Sequence, residues 1–493
     1  MISTDTSIFS ISDCVERCRR QQQAWAALPV SQRLPLIRRL RHLLVEECDS
    51  LCTAVEQDIA KPVEETIAGD ILPLAAACRF LERRAQRILR SRRISKLGRP
   101  IWLWGQTDVI HRRPRGVVGI IGTWNYPLLL NGVQILQALV AGNGVVWKPS
   151  ELARASARSF FALLQRAGCP SGLVEMLPGT REAGAELANA EIDHVVFTGS
   201  SSTGRALAEI LGRRLVSSTL ELSGCDAMFV LEDADIDMAA QAAWFGATLN
   251  RGQTCLAARR VFVHRSCYDP FIDALSQYVT RALPMNLALE SQVKQAENCI
   301  RDAVSEGARL LRPATSDHTP AATSASWPAA VLDARPEMAI CQQALFAPIL
   351  AVLAFDSEEQ ALKLDACCPY GLGASIFSRN STRAAQLACN LRVGSVAIND
   401  VIVPTAHPET PFGGRGESGW GVTQGAEGLL QMTVSQTVSI RRGKSRPHYG
   451  AACGTPVLTP QVMRGLLQWS HGSSFSRRWS GLKRLIRGWW TKS

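Results

Sequence analysis

The chain has 493 residues, of which 46% are hydrophobic and 20% are charged. This composition is typical of a globular protein of two or three domains and excludes a largely disordered chain. The 54 basic residues exceed the 43 acidic ones by 11, and the segment from Arg441 onwards contains 11 basic residues and no acidic ones. The rest of the chain is therefore neutral, which argues against a nucleic-acid-binding protein.

The cysteines and the apolar segments indicate a cytoplasmic protein. The 15 cysteines are odd in number and irregularly spaced, as in a reduced protein rather than a secreted disulfide framework. Met1–Asp5 has neither the basic start nor the apolar run of a signal peptide. The apolar region Gly116–Trp147 is interrupted by Asn and Gln residues, so we expect a buried strand and helix there and no membrane span.

The predicted elements begin with helices and continue with alternating strands and helices. Leu34, Ile37, Leu40 and Leu44 recur at helical spacing, and a hairpin of Ile101–Trp104 and Thr107–Ile110 follows further on. The alternating elements are strands at Val117–Ile121, Gly144–Trp147 and His194–Phe197 and helices at Leu128–Val140 and Ala153–Ala167. Strands separated by helices of this length predict an α/β fold with a doubly wound parallel sheet.

A second series of strands predicts another α/β domain after Glu221. Its strand candidates are Ala227–Val230, Val261–Val263 and Ile349–Val352, and the stretch Pro313–Ala330 has the composition of a loop. From about Gly443 the chain becomes basic and rich in Ser, Gly and Pro, which marks a tail after the folded body.

A strand followed by a glycine-containing turn and a helix suggests a phosphate-binding site. His194–Phe197 leads into Thr198–Gly204 and then a helical stretch. A helix N-terminus attracts anions through its free N–H groups and its dipole. Such turns also occur simply as connections, so this pattern alone leaves both interpretations open.

Four further motifs contain residue types suited to catalysis. Cys255 ends Gly-Gln-Thr-Cys, and Asn125 follows an apolar strand, where its carboxamide could donate to an oxyanion. Glu221 stands in an apolar stretch, where burial would raise its pKa towards that of a general base. Lys148 and Glu151 follow another strand and could bind the hydroxyls of a ribose. Taken singly, each of these residues is more simply explained as structural.

Together and in this order, the motifs resemble those of the aldehyde dehydrogenase superfamily over residues 20–440. The matching stretches are Pro114–Pro127, Trp147–Glu151, Phe197–Gly204, Leu220–Gly224, Gly252–Cys255, Pro369–Phe377, Pro411–Gly414 and Glu417–Gly421. The stretches Gly252–Cys255 and Ile398–Val401 are most similar to the dimeric branch that acts on fatty and aromatic aldehydes.

The resemblance implies an oxidation of an aldehyde to a carboxylic acid, with roles for three residues. Cys255 would attack the aldehyde to give a thiohemiacetal, and Asn125 would bind the oxyanion. After hydride transfer to NAD, Glu221 would activate the water that hydrolyses the thioester.

The resemblance also implies a cofactor site and no metal. A carboxylate at Glu151 favours NAD over NADP by repelling a 2′-phosphate, although NADP stays a second option. The residues implied at the cofactor are Lys148, Glu151, Gly199, Ser200, Trp124 and Phe346.

The same resemblance implies three parts and a tail. Residues 1–98 and 114–221 would bind the cofactor, and residues 222–392 would form the catalytic domain. Residues 99–113 and 393–442 would form a small β oligomerisation arm of a homodimer, followed by the tail 443–493.

Two positions depart from the family pattern. Ala344 stands where the family usually has a glutamate that binds the nicotinamide ribose, and Ser223 stands where it has a glycine near the cofactor. We expect weaker cofactor binding with the chemistry intact. The departures keep open a cofactor-impaired membrane-associated scaffold, and within enzymes an acyl transfer to coenzyme A, which the presence of Glu221 disfavours.

The tail has the pattern of a basic amphipathic helix. Phe475, Trp479, Leu482 and Ile486 fall at helical spacing among arginines and lysines. Such a helix suits peripheral contact with an anionic membrane surface. A disordered tail or a helix packed on a partner subunit is the alternative, because Gly481 and Gly488 weaken a helix.

Overall fold

The structure is a computed structural model that describes residues 10–97, 99–100, 103, 105–313, 324–444, 446, 449 and 459–490. The chain divides into two compact units. The first consists of Met1–Ser91 and His111–Gln436, and the second of Arg92–Ile110 and Thr437–Ser493. The finer division into cofactor, catalytic and arm regions stays a prediction.

One sheet of the first unit has six strands, and two of them end at the predicted cofactor residues Lys148 and Gly199. Its spatial order is Gly419–Trp420, Ser217–Leu222, His194–Gly199, Val117–Ile121, Gly144–Lys148 and Val174–Met176. All neighbours are parallel except the short edge strand Gly419–Trp420. Val117–Ile121 and Gly144–Lys148 are buried along their whole length, which is why both are nearly continuous apolar runs.

The helices around this sheet confirm the helical N-terminal region. Of the predicted residues, Ile37, Leu40 and Leu44 are buried on one face of their helix, as the spacing predicts, and Leu34 is half-buried. The helices are Ile11–Ala27, Val30–Glu46, Cys48–Ile59, Val63–Thr66, Leu72–Ile88, Leu129–Ala141, Arg154–Arg166, Arg181–Asn189 and Ser201–Arg213, with a π-helical turn at Ile67–Ile71.

A second sheet of seven strands forms the other half of this unit. Its spatial order is Arg309–Leu311, Ala329–Leu332, Ile349–Phe355, Ala258–His264, Asp226–Val230, Gly373–Phe377 and Ser395–Ile398. Only the edge strand Arg309–Leu311 is antiparallel. The predicted loop Pro313–Ala330 lies partly outside the described residues, and its last part enters the strands Ala325–Ser326 and Ala329–Leu332.

The remaining elements of the first unit are short or flank this sheet. Two small antiparallel pairs join Met285–Asn286 to Ala325–Ser326 and Tyr370–Gly371 to Arg415–Gly416. The helices are Ile236–Thr248, Tyr268–Val279, Glu290–Ser305, Ala339–Gln342, Glu358–Asp365, Ser381–Ala388 and Gly425–Gln431, with 3₁₀ turns at Leu249–Gly252, Arg265–Cys267 and Val403–Ala406.

The stretch 393–442, predicted as part of an arm, contributes to four sheets, one of which is the small pair of Arg415–Gly416 with Tyr370–Gly371. Ser395–Ile398 pairs in parallel with Gly373–Phe377, because the intervening helix Ser381–Ala388 forms the crossover that parallel neighbours need. Gly419–Trp420 pairs with Ser217–Leu222 at the edge of the six-stranded sheet. Only Thr433–Arg441 joins Gln106–Pro114 and Arg92–Arg93 in a three-stranded sheet.

The second unit contains the parts of that small sheet within Arg92–Ile110 and after Thr437, together with a helical hairpin. Thr107–Ile110 lies in a strand as predicted, whereas Ile101, Trp102 and Trp104 lie outside the described residues. Pro460–His471 and Phe475–Trp490 form two helices, which confirms the helix predicted from Phe475. A Cβ atom on Gly481 would lie 2.4 Å from the backbone nitrogen of Trp469, so the backbones of the two helices approach closely at this glycine. Within the described ranges, no helix has both the length and the apolarity to cross a membrane.

Candidate active site

Cys255 stands at the junction of two cavities in the first unit. A cavity of about 200 Å³ has Asn125, Glu221 and Cys255 in its wall. A larger cavity of about 450 Å³ also includes Cys255 and has a mainly apolar lining. The sulfur can therefore be approached from two sides, as a reaction between a substrate and a cofactor requires.

The loop before Cys255 has an unusual backbone. Asn250 and Arg251 have positive φ angles of 49° and 57°. Gly252 also has a positive φ, and a Cβ atom there would lie 2.3 Å from the carbonyl oxygen of Ala347. Only glycine fits so close to another backbone segment, which fixes the turn that presents Cys255.

The surroundings of Cys255 disfavour the negatively charged thiolate. Burial raises its pKa above the ordinary value, and the nearby Glu221 and Asp226 raise it further. The free thiol is therefore protonated at neutral pH, and a base must remove its proton before it attacks a substrate. All cysteines in the described ranges are free thiols.

The carboxamide of Asn125 is held at both ends. Its Oδ1 accepts a hydrogen bond of 2.9 Å from Thr123 Oγ1, and its Nδ2 donates one of 3.0 Å to the Gln253 carbonyl. A carboxamide nitrogen has two N–H groups, so one donor remains for a substrate oxygen.

Glu221 is a buried carboxylate at the end of the strand Ser217–Leu222. Thr423 Oγ1 donates to its Oε2 over 3.2 Å. Burial raises the pKa of Glu221 to about 7, and the hydrogen bond from Thr423 opposes that rise. At neutral pH a substantial fraction is ionised, as a general base requires.

Gly199 and Ser200 form the turn between a strand and the helix Ser201–Arg213, as the sequence predicts. Ser200 caps this helix by accepting a hydrogen bond from the Thr203 N–H. Both residues line the smaller cavity together with Cys255. The helix N-terminus therefore offers N–H groups and a positive dipole end to an anion at this cavity.

Lys148 and Glu151 lie together but outside the lining of the two cavities at Cys255. The Lys148 Nζ is 3.6 Å from Glu151 Oε2. Burial lowers the pKa of Lys148, and the carboxylate of Glu151 opposes that shift. Pro149 and Thr180 border a separate cavity of about 450 Å³ beside this pair.

Aromatic and carboxamide side chains complete the smaller cavity. Trp124 and Phe346 have ring centroids 6.1 Å apart, and Ala344 lies beside them. The smaller cavity is also lined by Gln292 and Gln295, which the sequence did not indicate. They are one helical turn apart on the helix Glu290–Ser305. Their only signal is this spacing on a polar helix, which resembles an ordinary solvated surface.

These residues fit a nicotinamide dinucleotide. The helix N-terminus at Ser200 suits a pyrophosphate, and the Lys148–Glu151 pair offers a donor and an acceptor to ribose hydroxyls. The Oε1 atom of Gln292 is buried without a hydrogen-bond partner among the described residues, as expected of a ligand-binding group. Ala344 contributes only a methyl group. In the described ranges, no cluster of three His, Cys, Asp or Glu side chains could hold a metal ion.

Comparisons with known proteins agree with this arrangement. The family described as "Aldehyde dehydrogenase family" matches residues 6–438. The chain is 35% identical over 433 residues to a Methylomonas protein named 4,4'-diapolycopene aldehyde oxidase, covering 86% of this chain and 80% of that protein. It is 32% identical over 438 residues to a Mycobacterium ulcerans protein with the provisional name of succinate-semialdehyde dehydrogenase [NADP(+)] 2, covering 86% and 83%.

Among solved structures, the fold is similar to the NAD⁺ complex of an aldehyde dehydrogenase from Bacillus cereus. The TM-score is 0.82 with 29% identity, and the match covers 88% of this chain and 89% of that one. The family match, the relatives and the fold agree with the resemblance found in the motifs. The chain therefore belongs to the aldehyde dehydrogenase family and is an NAD(P)-dependent enzyme that oxidises an aldehyde to a carboxylic acid.

Proposed function

We propose that the enzyme oxidises elongated, uncharged, apolar aldehydes, with Cys255 as the nucleophile, Asn125 as the oxyanion donor and Glu221 as the base. The observation that supports this most directly is the position of Cys255 between the two cavities. The larger cavity would hold the aldehyde, and the smaller one the nicotinamide end of the cofactor.

In the first step, the Cys255 sulfur forms a bond to the carbonyl carbon of the aldehyde. The thiol proton leaves to a base, for which Glu221 in the same cavity is suited by its pKa of about 7. The carbonyl electrons move to the oxygen, where the second N–H of Asn125 stabilises the negative charge. This gives a thiohemiacetal on Cys255.

The bound nicotinamide cofactor supplies the oxidation by accepting a hydride. In this chain Gly199, Ser200, Lys148 and Glu151 would hold it, with Trp124 and Phe346 beside the reacting end. The product of that oxidation is a thioester on Cys255. Glu221 first passes the thiol proton on to solvent and then takes a proton from water while the water oxygen adds to the thioester carbon. The C–S bond breaks to release the acid, and the proton on Glu221 returns to the Cys255 sulfur.

The lining of the larger cavity supports an apolar substrate. It includes Leu129, Leu130, Phe245, Leu249 and Leu256, which would bury hydrocarbon against hydrocarbon. The Methylomonas relative is named for an aldehyde of 4,4'-diapolycopene, and the proposal of an apolar substrate agrees with that name.

The charges of the larger cavity disfavour an acidic substrate. Its lining contains Lys61, Glu64 and Glu65, and Lys61 is already paired with Asp70 at 2.7 Å. A carboxylate on the substrate would meet two glutamates and no unpaired cation within this lining. We therefore expect poor activity on succinate semialdehyde, for which the Mycobacterium ulcerans relative is named.

Retention of Glu221 in a buried, base-like environment favours water over coenzyme A as the acyl acceptor. The family assignment disfavours a purely structural scaffold.

We further propose a cytoplasmic homodimer of the fatty- and aromatic-aldehyde branch, which the motifs Gly252–Cys255 and Ile398–Val401 support. Sedimentation velocity of the purified full chain tests the dimer.

The experiment that tests the activity is NADH formation with acetaldehyde, benzaldehyde, decanal and succinate semialdehyde. Each methylene that enters the cavity is worth about 0.8 kcal/mol, or roughly fourfold in kcat/KM. We expect decanal to be the best substrate and Cys255→Ala to abolish turnover while NADH binding, followed by fluorescence, persists. Cys389→Ala, at an exposed thiol away from the site, is the control. Equal kcat/KM for succinate semialdehyde and decanal would contradict the proposed substrate class.

We also propose that the helical hairpin of the second unit contacts an anionic phospholipid surface. Exposed apolar residues fall four residues apart on each helix: Met463 and Leu467 on the first, Phe475 and Trp479 on the second. Exposed basic residues stand beside them on the same two helices, namely Arg464, Arg477, Arg478, Lys483 and Arg484, and the segment from Arg441 onwards contains no acidic residue. Apolar and basic groups together suit the boundary between headgroups and acyl chains.

Vesicle sedimentation tests this contact. Each basic residue near an anionic surface contributes about 1 kcal/mol, so Lys483→Gln with Arg484→Gln should weaken binding to phosphatidylglycerol vesicles roughly 30-fold. Trp479→Ser should weaken it as well, whereas Lys363→Gln in the first unit is the control. Equal binding to phosphatidylcholine and phosphatidylglycerol vesicles, or no binding by the full chain, would contradict the proposal.

A further inference from the structure

We propose that the buried ion pair of Lys61 and Asp70 is the positioning pair for Asn125, because it fixes the loop that carries this side chain opposite Cys255. The inference rests on the proposed role of Asn125 as oxyanion donor. Neither residue belongs to the motifs that identify the family in this sequence. Both lie in the helical N-terminal region, far from Asn125 along the chain.

The contacts of Lys61 show how the pair reaches Asn125. Its Nζ donates to Asp70 Oδ2 over 2.7 Å and to the carbonyl oxygen of Asn125 over 3.2 Å. The same ammonium lies 3.8 Å from the centre of the Tyr126 ring. These three contacts account for the three N–H donors of a lysine, and the side chain is 1% exposed.

Asp70 holds the other side of the same loop. Its Oδ1 accepts hydrogen bonds of 3.0 Å from the N–H groups of Leu128 and Leu129, where the helix Leu129–Ala141 begins. The carboxylate thus satisfies two donors at a helix start and stabilises the positive end of its dipole. Lys61 and Asp70 therefore bracket Asn125 and Tyr126 from both sides.

The π-helical turn Ile67–Ile71 makes this arrangement sterically feasible. It places Asp70 in the interior, and a Cβ atom on Gly69 would lie 2.9 Å from Tyr126 Cε1. The Tyr126 ring can approach the turn only because residue 69 has no side chain. Its hydroxyl is 2.9 Å from Thr254 Oγ1, next to Cys255. The pair therefore connects the N-terminal helices directly with Asn125 and, through Tyr126, with the loop that precedes Cys255.

Stability alone is a weak reason for this pair. Removing two charges from water is costly, and replacing a buried ion pair by neutral groups of similar size is often neutral for folding. What a neutral pair would lose is the fixed direction of the Asn125 carbonyl, which Lys61 shares with Asn250 Nδ2 at 3.1 Å. A small displacement of Asn125 would move its free N–H away from the developing oxyanion.

The test is a double-mutant cycle that joins the neutral pair Lys61→Met/Asp70→Asn to Asn125→Ala. We expect Asn125→Ala to lower kcat on decanal about 100-fold, as for other oxyanion donors. The neutral pair should lower kcat about tenfold or more in the wild-type background and less than about twofold in the Asn125→Ala background. Fluorescence-monitored NADH binding should be unchanged, because neither residue lines the cofactor cavity.

The surface pair Lys363→Met/Glu359→Gln is the control for removing an ion pair. If the neutral pair lowers kcat by the same factor in both backgrounds, or not at all, the positioning role is wrong. If Asn125→Ala itself leaves kcat unchanged, the proposed oxyanion role fails instead, so the two failures are distinguishable. Should the neutral pair not yield folded protein, Asp70→Asn alone enters the same cycle with the same expected outcomes.

Discussion

Thr423 and Glu221 are 202 residues apart, yet Thr423 donates a hydrogen bond of 3.2 Å to one oxygen of the Glu221 carboxylate. The other oxygen, Oε1, is buried and receives no hydrogen bond of normal geometry from the described residues. One oxygen is thus held in place while the other remains available to a water molecule. The carboxylate is oriented and yet poorly stabilised as an anion, which is what a general base near neutral pH needs.

This environment predicts a pH-dependent rate. Glu221 must be deprotonated to act, and burial raises its pKa to about 7. We therefore expect kcat on decanal to fall about tenfold per pH unit well below pH 7 and to level off above it. Glu221→Gln should abolish this fall of kcat below pH 7, the acidic limb of the pH profile, and should remove most of the turnover.

Thr423→Val is the matched variant for the position of the limb. It removes a hydrogen bond that stabilises the ionised form, so the pKa of Glu221 should rise and the limb should move to higher pH. Steady-state kcat between pH 5.5 and 9 measures both effects. A limb that stays in place in Thr423→Val would contradict the proposed influence of this hydroxyl.

Ala344 predicts weak binding of the nicotinamide end of the cofactor. It lines the smaller cavity with a methyl group where the family usually has a glutamate. Ala344→Glu should restore hydrogen bonds to a ribose worth on the order of 1–3 kcal/mol, and so lower the Kd for NADH roughly 5- to 150-fold. Fluorescence titration with NADH measures this Kd in the wild type and in Ala344→Glu.

Gln342→Glu adds the same charge two residues away, outside the lining of that cavity and in contact with the Pro336 carbonyl, and is the control. Tighter binding in both variants would show a general charge effect. Unchanged binding in Ala344→Glu would mean that the groups already present, such as Gln292 and Gln295, satisfy the ribose.

The hairpin of the second unit depends on a close backbone approach at Gly481. Because a Cβ atom there would lie 2.4 Å from the Trp469 nitrogen, Gly481→Leu should separate the two helices. We expect loss of vesicle binding and faster tryptic cleavage after Arg477 and Arg478, whose side chains are exposed but whose backbone can enter the protease only when the helix unfolds. Ser480→Ala, at the exposed neighbouring position, should behave like the wild type.

The elements of the two large sheets were largely predictable because they depend on local pattern. Val117–Ile121 is a continuous apolar run and forms a buried strand, and Ser200 follows a strand and caps the next helix. The catalytic candidates also follow short local motifs. Cys255, Asn125 and Glu221 indeed line one cavity.

The remaining site residues could not be predicted, because their position depends on contacts distant in sequence. Lys61 is an ordinary lysine in the sequence, and only the fold buries it beside Asn125. Thr423 reaches Glu221 through the short edge strand Gly419–Trp420, whose pairing has no local signal. The parallel pairing of Ser395–Ile398 with Gly373–Phe377 likewise has no local signal, because it depends on a crossover helix.

The last prediction concerns stability and the buried His194. Its Nδ1 is 2.8 Å from Ser217 Oγ and its Nε2 is 3.3 Å from Thr219 Oγ1. Burial, with a smaller contribution from Arg115, lowers its pKa to about 3.

Since the unfolded chain has an ordinary histidine pKa of about 6.5, it binds more protons than the folded protein between pH 6.5 and 3. The contribution of His194 is therefore complete above pH 6.5 and is lost as the pH falls. Between pH 7 and 5 the wild type should lose about 2 kcal/mol more unfolding free energy than His194→Gln, measured by urea titration at each pH. Parallel stability profiles of the two proteins would mean that His194 is protonated in the folded state.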